Sequence, residues 1–566
     1  MRRLLLFLLV AVSVGAQVPA QFSGLLTNST DYTGSYSNTW TLPAPGTSQV
    51  DSIFGNTTVQ LPTPTDCGPG FINCAAQIAR PNGLGFINQY SKTMMMSRDK
   101  QYIFMTDEAG WYYVYRITSL SPFAATFVRR IQVDATGNSA ADGNIVASAF
   151  ANVQWSKSGG HLIYVDGIGS NGFRSALWIY DLDADTGFGS HPITVVHDFS
   201  ALVATYSGFS PIFTCNGSPC PGTNPAPLGV GEYITTQGEG NQSDNDDIWV
   251  FGINNDTAGA NDNNGIAIVV YKKSTNTVLS SMTIGPNGVC GTLQCYNSPN
   301  WVGVDPDGNY VLVNWNCESH MYTWPVSSDL QPWQLPISPV PVHGCGTELY
   351  DLSLNWLGIL STDFNHADVL KDLNGHEVYI TYPDQLYNAI AATRLDMVAK
   401  TIPVNQFGLT GQHSARWPTN YLYGAYTLSG RGSHGTAQGW ALYSSYGYST
   451  CATVAACAAA GGFNAMENDF FLVDWDNWYP HPNDGGNNVF LAFSRAGRTH
   501  SIDSCYFCQG NAVPNWDSTN ITWTSNGDID VDHPMFMFVE PLPITQPHVN
   551  GVTMSGGVIV SGSVKF

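Results

Sequence analysis

Short runs of branched and aromatic residues recur along the chain, and each run is bounded by Gly, Asn, Asp or Pro. Residues of the first kind favour strands, and the bounding residues favour turns. The clearest runs are 101–105, 111–116, 161–165, 176–180, 266–271, 310–315 and 489–493. Helical periodicity is nearly absent, and the best helical segment, 452–460, fits a disulfide-closed loop equally well. The pattern therefore predicts an all-β protein.

One phrase recurs five times: an apolar or aromatic residue, a polar turn and a strand of bulky residues. Asp or Ser side chains can hold such a turn and Gly can supply a positive φ, which is the chemistry of a tight hairpin. The copies are anchored on Met96, Trp155, Val304, Leu370 and Trp516. Successive anchors are 59, 149, 66 and 146 residues apart, so the second and fourth intervals each have room for one more copy. The strand-like runs 247–251 and 439–446 are the natural candidates.

Seven units of roughly 60 to 75 residues are each long enough for a four-stranded sheet with its loops. The repeat therefore predicts a seven-bladed β-propeller of four-stranded antiparallel blades with disulfide-stapled loops. A pair of β-sandwiches and a right-handed β-helix are the alternatives, but a β-helix would show much shorter repeats. The segment 21–81 is expected to complete the last blade or to run along the ring.

The first twenty residues have the pattern of a cleaved signal peptide. Arg2 and Arg3 precede an apolar run at 4–14, and small residues follow it. This run is too short to span a bilayer, and no later run is long and apolar enough. We expect a signal peptide at 1–20, one propeller domain at 21–545 and a tail or extra strand at 546–566. The mature chain is expected to be secreted, periplasmic or extracellular, without membrane insertion.

The twelve cysteines fall as six local couples, most of them among Gly, Pro and Asn. This pattern is typical of disulfide-bonded surface loops in an exported protein. The couples are Cys67 and Cys74, Cys215 and Cys220, Cys290 and Cys295, Cys317 and Cys345, Cys451 and Cys457, and Cys505 and Cys508. We expect six disulfides paired in this order. A metal site or a redox motif at the last couple is the alternative, since only that couple has a two-residue gap.

The charge balance excludes one class of partner. The chain has 43 acidic and 21 basic residues and a net charge of −22. So few Lys and Arg leave no basic surface for a phosphate backbone, which argues against nucleic acid as a partner. A hydrophobic fraction of 43% is enough for a large core, and a folded monomer is expected.

Three further stretches extend the repeat pattern: 364–368 leading into 374–378, 432–434 leading into 439–445, and 500–526. Together with the repeats, these stretches resemble exported bacterial seven-bladed propellers. Some members of that group are polysaccharide lyases of the oligogalacturonate-lyase and ulvan-lyase type. The resemblance implies a secreted propeller that binds or acts on an extracellular polysaccharide. Because one fold serves many functions, the site residues must carry the chemistry.

Uronate β-elimination needs a cation for the sugar carboxylate, a base for the adjacent proton and an acid for the leaving oxygen. Arg, His and Tyr can fill these roles. Such residues stand near predicted blade starts, where innermost strands would bring them to one channel. The candidate catalytic residues are His413, Arg416, Arg431, His434 and Tyr426, and the candidate substrate-binding residues are His366, Asp368, Trp417, Tyr423 and His500. The alternative for each His is a structural hydrogen bond to a nearby backbone carbonyl.

The net charge penalises an acidic polysaccharide at long range, whereas a neutral glycan escapes this penalty. Aromatic residues in Gly- and Asn-rich context can stack on sugar faces, with packing inside the blades as their alternative role. They include Trp417, Tyr421, Tyr423, Trp475, Trp478 and Tyr479. Two hypotheses therefore stand: a lyase-like enzyme, and a non-catalytic extracellular propeller that acts as a binding module or scaffold.

Calcium is the candidate cofactor. Asp244, Asp246 and Asp247 lie in a run of oxygen-bearing side chains, and similar runs follow at 254–256 and 261–265. Ca²⁺ prefers such carboxylate and amide oxygens. The spacing differs from that of the EF-hand loop, and Asn and Asp are also ordinary hairpin residues, so a turn role remains the alternative.

Overall fold

The computed structural model describes the strands and the turns between many of them. The described residues are 41–51, 57–64, 86–87, 92–107, 112–131, 153–166, 175–186, 193–206, 214–215, 218–219, 232–236, 240–255, 265–284, 299–315, 346–361, 366–384, 389–399, 412–416, 425–446, 469–480, 489–499, 511–525, 536–541, 553–554 and 558–559. The predicted signal peptide, the segment 452–460, most of the predicted tail and every cysteine except the backbone of Cys215 lie outside them.

The described strands form seven blades that follow one another along the chain, with blades 5 and 6 joined in one eight-stranded sheet, which confirms the predicted seven-bladed β-propeller. Two strands, β1 (Ser48–Val50) and β2 (Thr57–Gln60), precede blade 1. Blade 1 has β3 (Phe86–Ile87), β4 (Tyr102–Asp107), β5 (Tyr112–Leu120) and β6 (Phe123–Arg130); blade 2 has β7 (Val153–Trp155), β8 (Leu162–Val165), β9 (Ala176–Asp181) and β10 (Ile193–Asp198). A short ribbon of β11 (Thr214–Cys215) and β12 (Ser218–Pro219) precedes blade 3, which has β13 (Glu232–Thr235), β14 (Ile248–Asn255), β15 (Gly265–Lys272) and β16 (Thr277–Thr283).

Blades 4 to 7 repeat the arrangement. Blade 4 has β17 (Pro299–Val304), β18 (Tyr310–Trp315), β19 (Gly346–Asp351) and β20 (Trp356–Ser361); blade 5 has β21 (Ala367–Lys371), β22 (Glu377–Asp384), β23 (Ala389–Arg394) and β24 (Gln412–Arg416). Blade 6 has β25 (Ala425–Ser429), β26 (Trp440–Tyr446), β27 (Asp469–Pro480) and β28 (Val489–Arg498); blade 7 has β29 (Val513–Pro514), β30 (Asn520–Ser525) and β31 (Phe536–Pro541). A ribbon of β32 (Thr553–Met554) and β33 (Val558–Ile559) follows. The two degenerate copies predicted at 247–251 and 439–446 contain β14 and β26.

Within the described ranges, three helical segments lie among these strands. They are α1 (Ser200–Tyr206), α2 (Leu395–Val398) and a 3₁₀ turn at Gly435–Ala437. Among the described residues, no helix is long and apolar enough to cross a membrane.

The blades are held together by buried apolar side chains that pack between neighbouring sheets. Between blades 1 and 2, the rings of Phe104 and Trp155 lie 5.5 Å apart, and the Trp155 indole donates to the carbonyl of Met95. Alternation in each strand directs one set of bulky residues to each neighbouring blade, so the strands are buried on both faces. This explains why the strand signal in the sequence is a run of apolar residues rather than strict alternation.

The first strand of each blade lies innermost, because first strands of neighbouring blades contact each other. Gln154 in β7 donates to the carbonyl of Gly240 beside β13, and Val304 at the end of β17 donates to the carbonyl of Asn241. A Cβ on Gly430, which follows β25, would lie 2.6 Å from the carbonyl oxygen of Val369 in β21. Only glycine permits this approach of two backbones.

Antiparallel connections emerge alternately at the two ends of the ring. The turns between first and second strands gather at one end, which we call the turn face. The segments between second and third strands, and those from a fourth strand to the next blade, start and end at the opposite end, which we call the loop face.

The N-terminal strands close the ring by completing blade 7. Val59 and Gln60 of β2 pair with Val539 and Phe538 of β31, so blade 7 contains strands from both ends of the propeller sequence. The Tyr115 hydroxyl of blade 1 donates to the carbonyl of Pro62, just after β2. Of the two roles predicted for this segment, completion of the last blade is the one observed.

Candidate functional site

Each of the seven turns between a first and a second strand begins with Ser, Asp or Asn. In six of the seven turns, the side-chain oxygen of this residue accepts a hydrogen bond from a backbone amide on the far side of the turn. The residues that begin the seven turns are Ser97, Ser156, Ser243, Asp305, Asp372, Ser433 and Asn515. A short oxygen-bearing side chain can replace the missing backbone partner in a tight turn, which explains the polar residue of the sequence repeat.

Hydrogen bonds or ion pairs join the seven turns in a closed ring, with one or more contacts at every blade junction. In order from the junction of blades 1 and 2, the contacts are Asp99 with His161, Asp246 with Ser156, Asp244 with Pro306, Asp307 with Glu377, Ser433 with Lys371, Ser518 with Gly432, and Lys100 with Asp517. The ring ties the innermost part of each blade to its neighbours.

His434 bridges the ring from blade 6. Its Nε2 lies 2.9 Å from Asp244 Oδ2 of blade 3, and its Nδ1 lies 3.0 Å from the carbonyl oxygen of Trp516 in blade 7. The imidazole also stacks on the Trp516 indole, with 3.6 Å between ring centroids, and the Arg98 guanidinium covers the same indole at 4.4 Å. One side chain thus connects blades that are not neighbours.

A second buried ion pair lies beside this bridge. Arg431 Nη2 is 2.6 Å from Asp368 Oδ1, and Asp368 Oδ2 accepts from the Gly430 amide at 2.9 Å. The side chains of Arg431 and Asp368 are 8% and 1% exposed. A cavity lined by Arg431, Asp244, Lys371 and His434 measures about 10 Å³, which is room for about one water molecule.

Electrostatics at the bridge follow from burial and from the neighbouring charges. Burial opposes ionisation of Asp244, but the hydrogen bond from His434 and the charges of Lys157, His434 and Arg431 lower its pKa to about 2. Burial and, after it, the charge of Arg431 lower the pKa of Lys157 to about 8, against the opposing effect of Asp244 and other nearby aspartates. Lys157 donates to the carbonyl of Gln242 at 2.5 Å. These charges are therefore used in contacts within the protein.

The three aspartates predicted as calcium ligands have separate hydrogen-bonding partners. Asp246 accepts from the hydroxyls of Ser156 and Ser158, while Asp247 accepts from the Ser274 amide at 2.7 Å. Asp244 is held by His434. In the part of the chain that the structure describes, no group of three or more His, Cys, Asp or Glu is arranged to hold a metal ion. Calcium binding stays a prediction.

The other predicted site residues do not meet at one point. His413 and Arg416 lie in β24, the fourth strand of blade 5, which pairs with β23 and, at a single position, with β28 of blade 6. The prediction that they open a new blade beside the axis is therefore wrong: the chain adds an outer strand to blade 5 before blade 6 begins. Their side chains are not described. Tyr426 lies in β25, the first strand of blade 6.

His366 precedes β21 and lies at the loop face, whereas His434 and Arg431 lie at the turn face. Trp417, Tyr423 and His500 lie outside the described residues. Asp368, predicted as a substrate ligand, is buried against Arg431. Of the ten candidate catalytic and substrate-binding residues, the structure thus brings together Arg431, His434 and Asp368, and Asp244 from the metal set joins them.

Sequence analysis missed Lys157 and Trp516, which both belong to this cluster. Both residues stand in the repeated turn phrases from which the fold was predicted. Because the turns of a propeller converge at its axis, equivalent positions of this phrase could have identified them.

No protein-family model and no curated protein matches the sequence. Several solved structures resemble the fold. An oligogalacturonate lyase from Vibrio parahaemolyticus is 9% identical with a TM-score of 0.44, over 88% of this chain and 98% of that chain. Sqt1 from Chaetomium thermophilum is 9% identical with a TM-score of 0.35, over 78% and 80%. Hydrazine synthase from Kuenenia stuttgartiensis is 10% identical with a TM-score of 0.34, over 78% and 93%. Because these scores are low, the fold assignment rests on the observed strand order.

Proposed function

We propose that the chain is an exported, non-catalytic propeller that binds a neutral extracellular glycan at its loop face. The observation that carries this proposal is the closed turn face. There Arg431 and His434, two of the five candidate catalytic residues, are engaged by Asp368, Asp244 and the Trp516 carbonyl. The cavity beside them holds about one water, far less than a sugar ring requires.

The loop face supports the proposal because the long connections start and end there. The segments 131–152, 199–231, 316–345 and 447–468 all join strands at this end of the ring. Binding residues of rigid β scaffolds are usually carried on such connections. The turn face, by contrast, is formed mainly by short hairpins that bind one another.

Charge and composition support a neutral glycan over an acidic one. A net charge of −22 repels polyanions at long range, and the chain contains 16 Trp and 27 Tyr, which can stack on sugar faces.

The test is binding of the purified protein to neutral and uronate-containing polysaccharides by affinity electrophoresis, with ultraviolet detection of unsaturated uronate product. His366→Ala changes the loop face, and His376→Ala is the matched control at the turn face. We expect binding to a neutral glycan, at least about tenfold weaker in His366→Ala and unchanged in His376→Ala. Unsaturated product, absence of any glycan binding, or an equal loss in both variants would contradict the proposal.

A further inference from the structure

Two buried carboxyl groups meet where blades 4 and 5 join. Asp305 follows β17 and is fully buried, and its Oδ1 accepts from the amides of Asn309 and Tyr310 at 2.7 and 2.6 Å. Its other oxygen, Oδ2, receives no hydrogen bond from an N–H or hydroxyl of the described residues. The Asp305 carboxyl group lies within hydrogen-bonding reach of the carboxyl group of Glu377. The turn therefore uses only one of the two carboxylate oxygens of Asp305.

Glu377 reaches this point from the neighbouring blade. It is the first residue of β22 and is 8% exposed. Its Oε1 accepts from the Asp307 amide of the blade 4 turn at 2.7 Å. Glu377 therefore spans the junction, with one oxygen on the backbone of blade 4 and its carboxyl group against Asp305.

The surrounding charges do not neutralise two carboxylates. Asp307 adds a further negative charge. Lys371, the cross-strand neighbour of Glu377, pairs with Asp307, and its single positive charge is shared among Asp307, Asp244 and Glu377. On the same side of the ring, Asp372 pairs with His376, and Asp244 is held by His434. Two buried carboxylates in contact repel each other strongly, and a single shared proton converts this repulsion into a hydrogen bond.

We propose that Asp305 and Glu377 share one proton and that the protonated pair joins blades 4 and 5, so that this junction loosens when alkaline solution removes the proton. The electrostatics agree with this geometry. Burial raises the pKa of both groups. The contact with Asp305 raises the pKa of Glu377 further, to about 11, whereas the same contact acts to lower the pKa of Asp305, so Glu377 is the group that holds the proton.

The sign of the effect follows from proton linkage. The folded pair keeps a proton that the unfolded carboxyl groups release above their ordinary pKa, so unfolding releases that proton. The stabilisation of the folded protein by this pair is therefore complete in acid, and it is lost as the pH rises toward the pKa of the folded pair.

Glu377→Gln tests the proposal, because an amide keeps the acceptor for Asp307 and donates to Asp305 without a titratable proton. Urea unfolding is measured from pH 6 to pH 9. We expect the unfolding equilibrium constant of the wild type, relative to that of Glu377→Gln, to rise about tenfold for each pH unit. Asp372→Asn changes the equivalent turn residue of blade 5 and should retain the wild-type slope.

Infrared spectroscopy supplies a second measurement. At pH 8 the wild type should show the carbonyl band of a protonated buried carboxyl, and Glu377→Gln and Asp305→Asn should both lack it. Parallel stability profiles for the wild type and Glu377→Gln, or absence of the band from the wild type, would overturn the proposal. The wild-type spectrum alone can refute the proposal, so the test remains valid even if a variant folds poorly.

Discussion

Single polar side chains determine how the turns of the ring are built. In six of the seven turns the first residue caps the turn through a short side-chain oxygen, while longer or charged residues further along reach the next blade. Asp99 shows the second role, because it accepts from the Gln101 amide within its own turn and also contacts His161 of blade 2. A turn residue can therefore stabilise both its hairpin and a blade junction.

His161 lies between two carboxylates. Its Nε2 is 2.8 Å from Asp99 and its Nδ1 is 2.7 Å from Asp183, so both nitrogens can donate only when the ring is protonated. Burial alone would lower the pKa of His161, but the two carboxylates outweigh burial and raise the pKa. Both ion pairs of His161, with Asp99 and with Asp183, are therefore formed in acid.

We predict that this contribution to stability is present below the ordinary histidine pKa of about 6.5 and is lost as the pH rises through the raised value. His161→Gln should remove the dependence and destabilise the protein in acid by at most about 1 kcal/mol, because both carboxylates are open to solvent. Denaturation midpoints measured between pH 5 and pH 8 test this, with His376→Gln as control. An unchanged slope in His161→Gln would contradict the assignment.

At the scale of strands, the repeated hairpin is the unit that the local sequence encodes. Gly308 and Gly375, the glycines of two of these turns, have φ angles of +79° and +82°. Glycine adopts such positive φ angles without steric cost. Ring closure has a different origin, because β2 and β31 are separated by nearly the whole propeller and pair through only two residues of each strand. The closure strand must therefore be held by packing as well as by hydrogen bonds.

Val59 of β2 carries much of this packing. It is 4% exposed and packs in the cluster that contains Val513 and Val539 of blade 7 and Met105 of blade 1. Val59→Ala should lower the free energy of unfolding by about 1.5–3 kcal/mol, whereas Val50→Ala, at a position that is 52% exposed, should change it by less than about 0.5 kcal/mol. Chemical denaturation measures both variants, and equal effects would show that β2 is not essential for closure.

At the scale of the molecule, the two ends of the ring differ in chemistry. The turn face consists of hairpins joined by hydrogen bonds and ion pairs. Every cysteine in the sequence falls instead in a segment that joins strands at the loop face, and each such segment that contains cysteines contains one sequential couple. The segments are 61–85, 199–231, 284–298, 316–345, 447–468 and 499–512. The expected disulfides would thus constrain the proposed binding face alone.

We predict that peptide mapping without reduction will yield six disulfides, each within one of these segments. Because none would cross between blades, reduction should leave the far-ultraviolet circular dichroism of the sheets unchanged while weakening glycan binding. Free thiols, or a disulfide between two of the segments, would contradict this arrangement. Loss of the sheet signal on reduction would show that the bonds support the ring itself.

The sequence by itself determined the features that depend on neighbouring residues. Strand composition, turn chemistry and the spacing of the repeat predicted an all-β chain of seven blades, including the degenerate copies at β14 and β26. Only the tertiary structure decided which side chains meet. His434 contacts Asp244, 190 residues away, because the ring brings blades 3 and 6 together. Similarly, β24 takes His413 and Arg416 into an outer strand because the chain completes blade 5 before it starts blade 6. Hairpin formation is local, whereas convergence at the axis depends on closure of the whole ring.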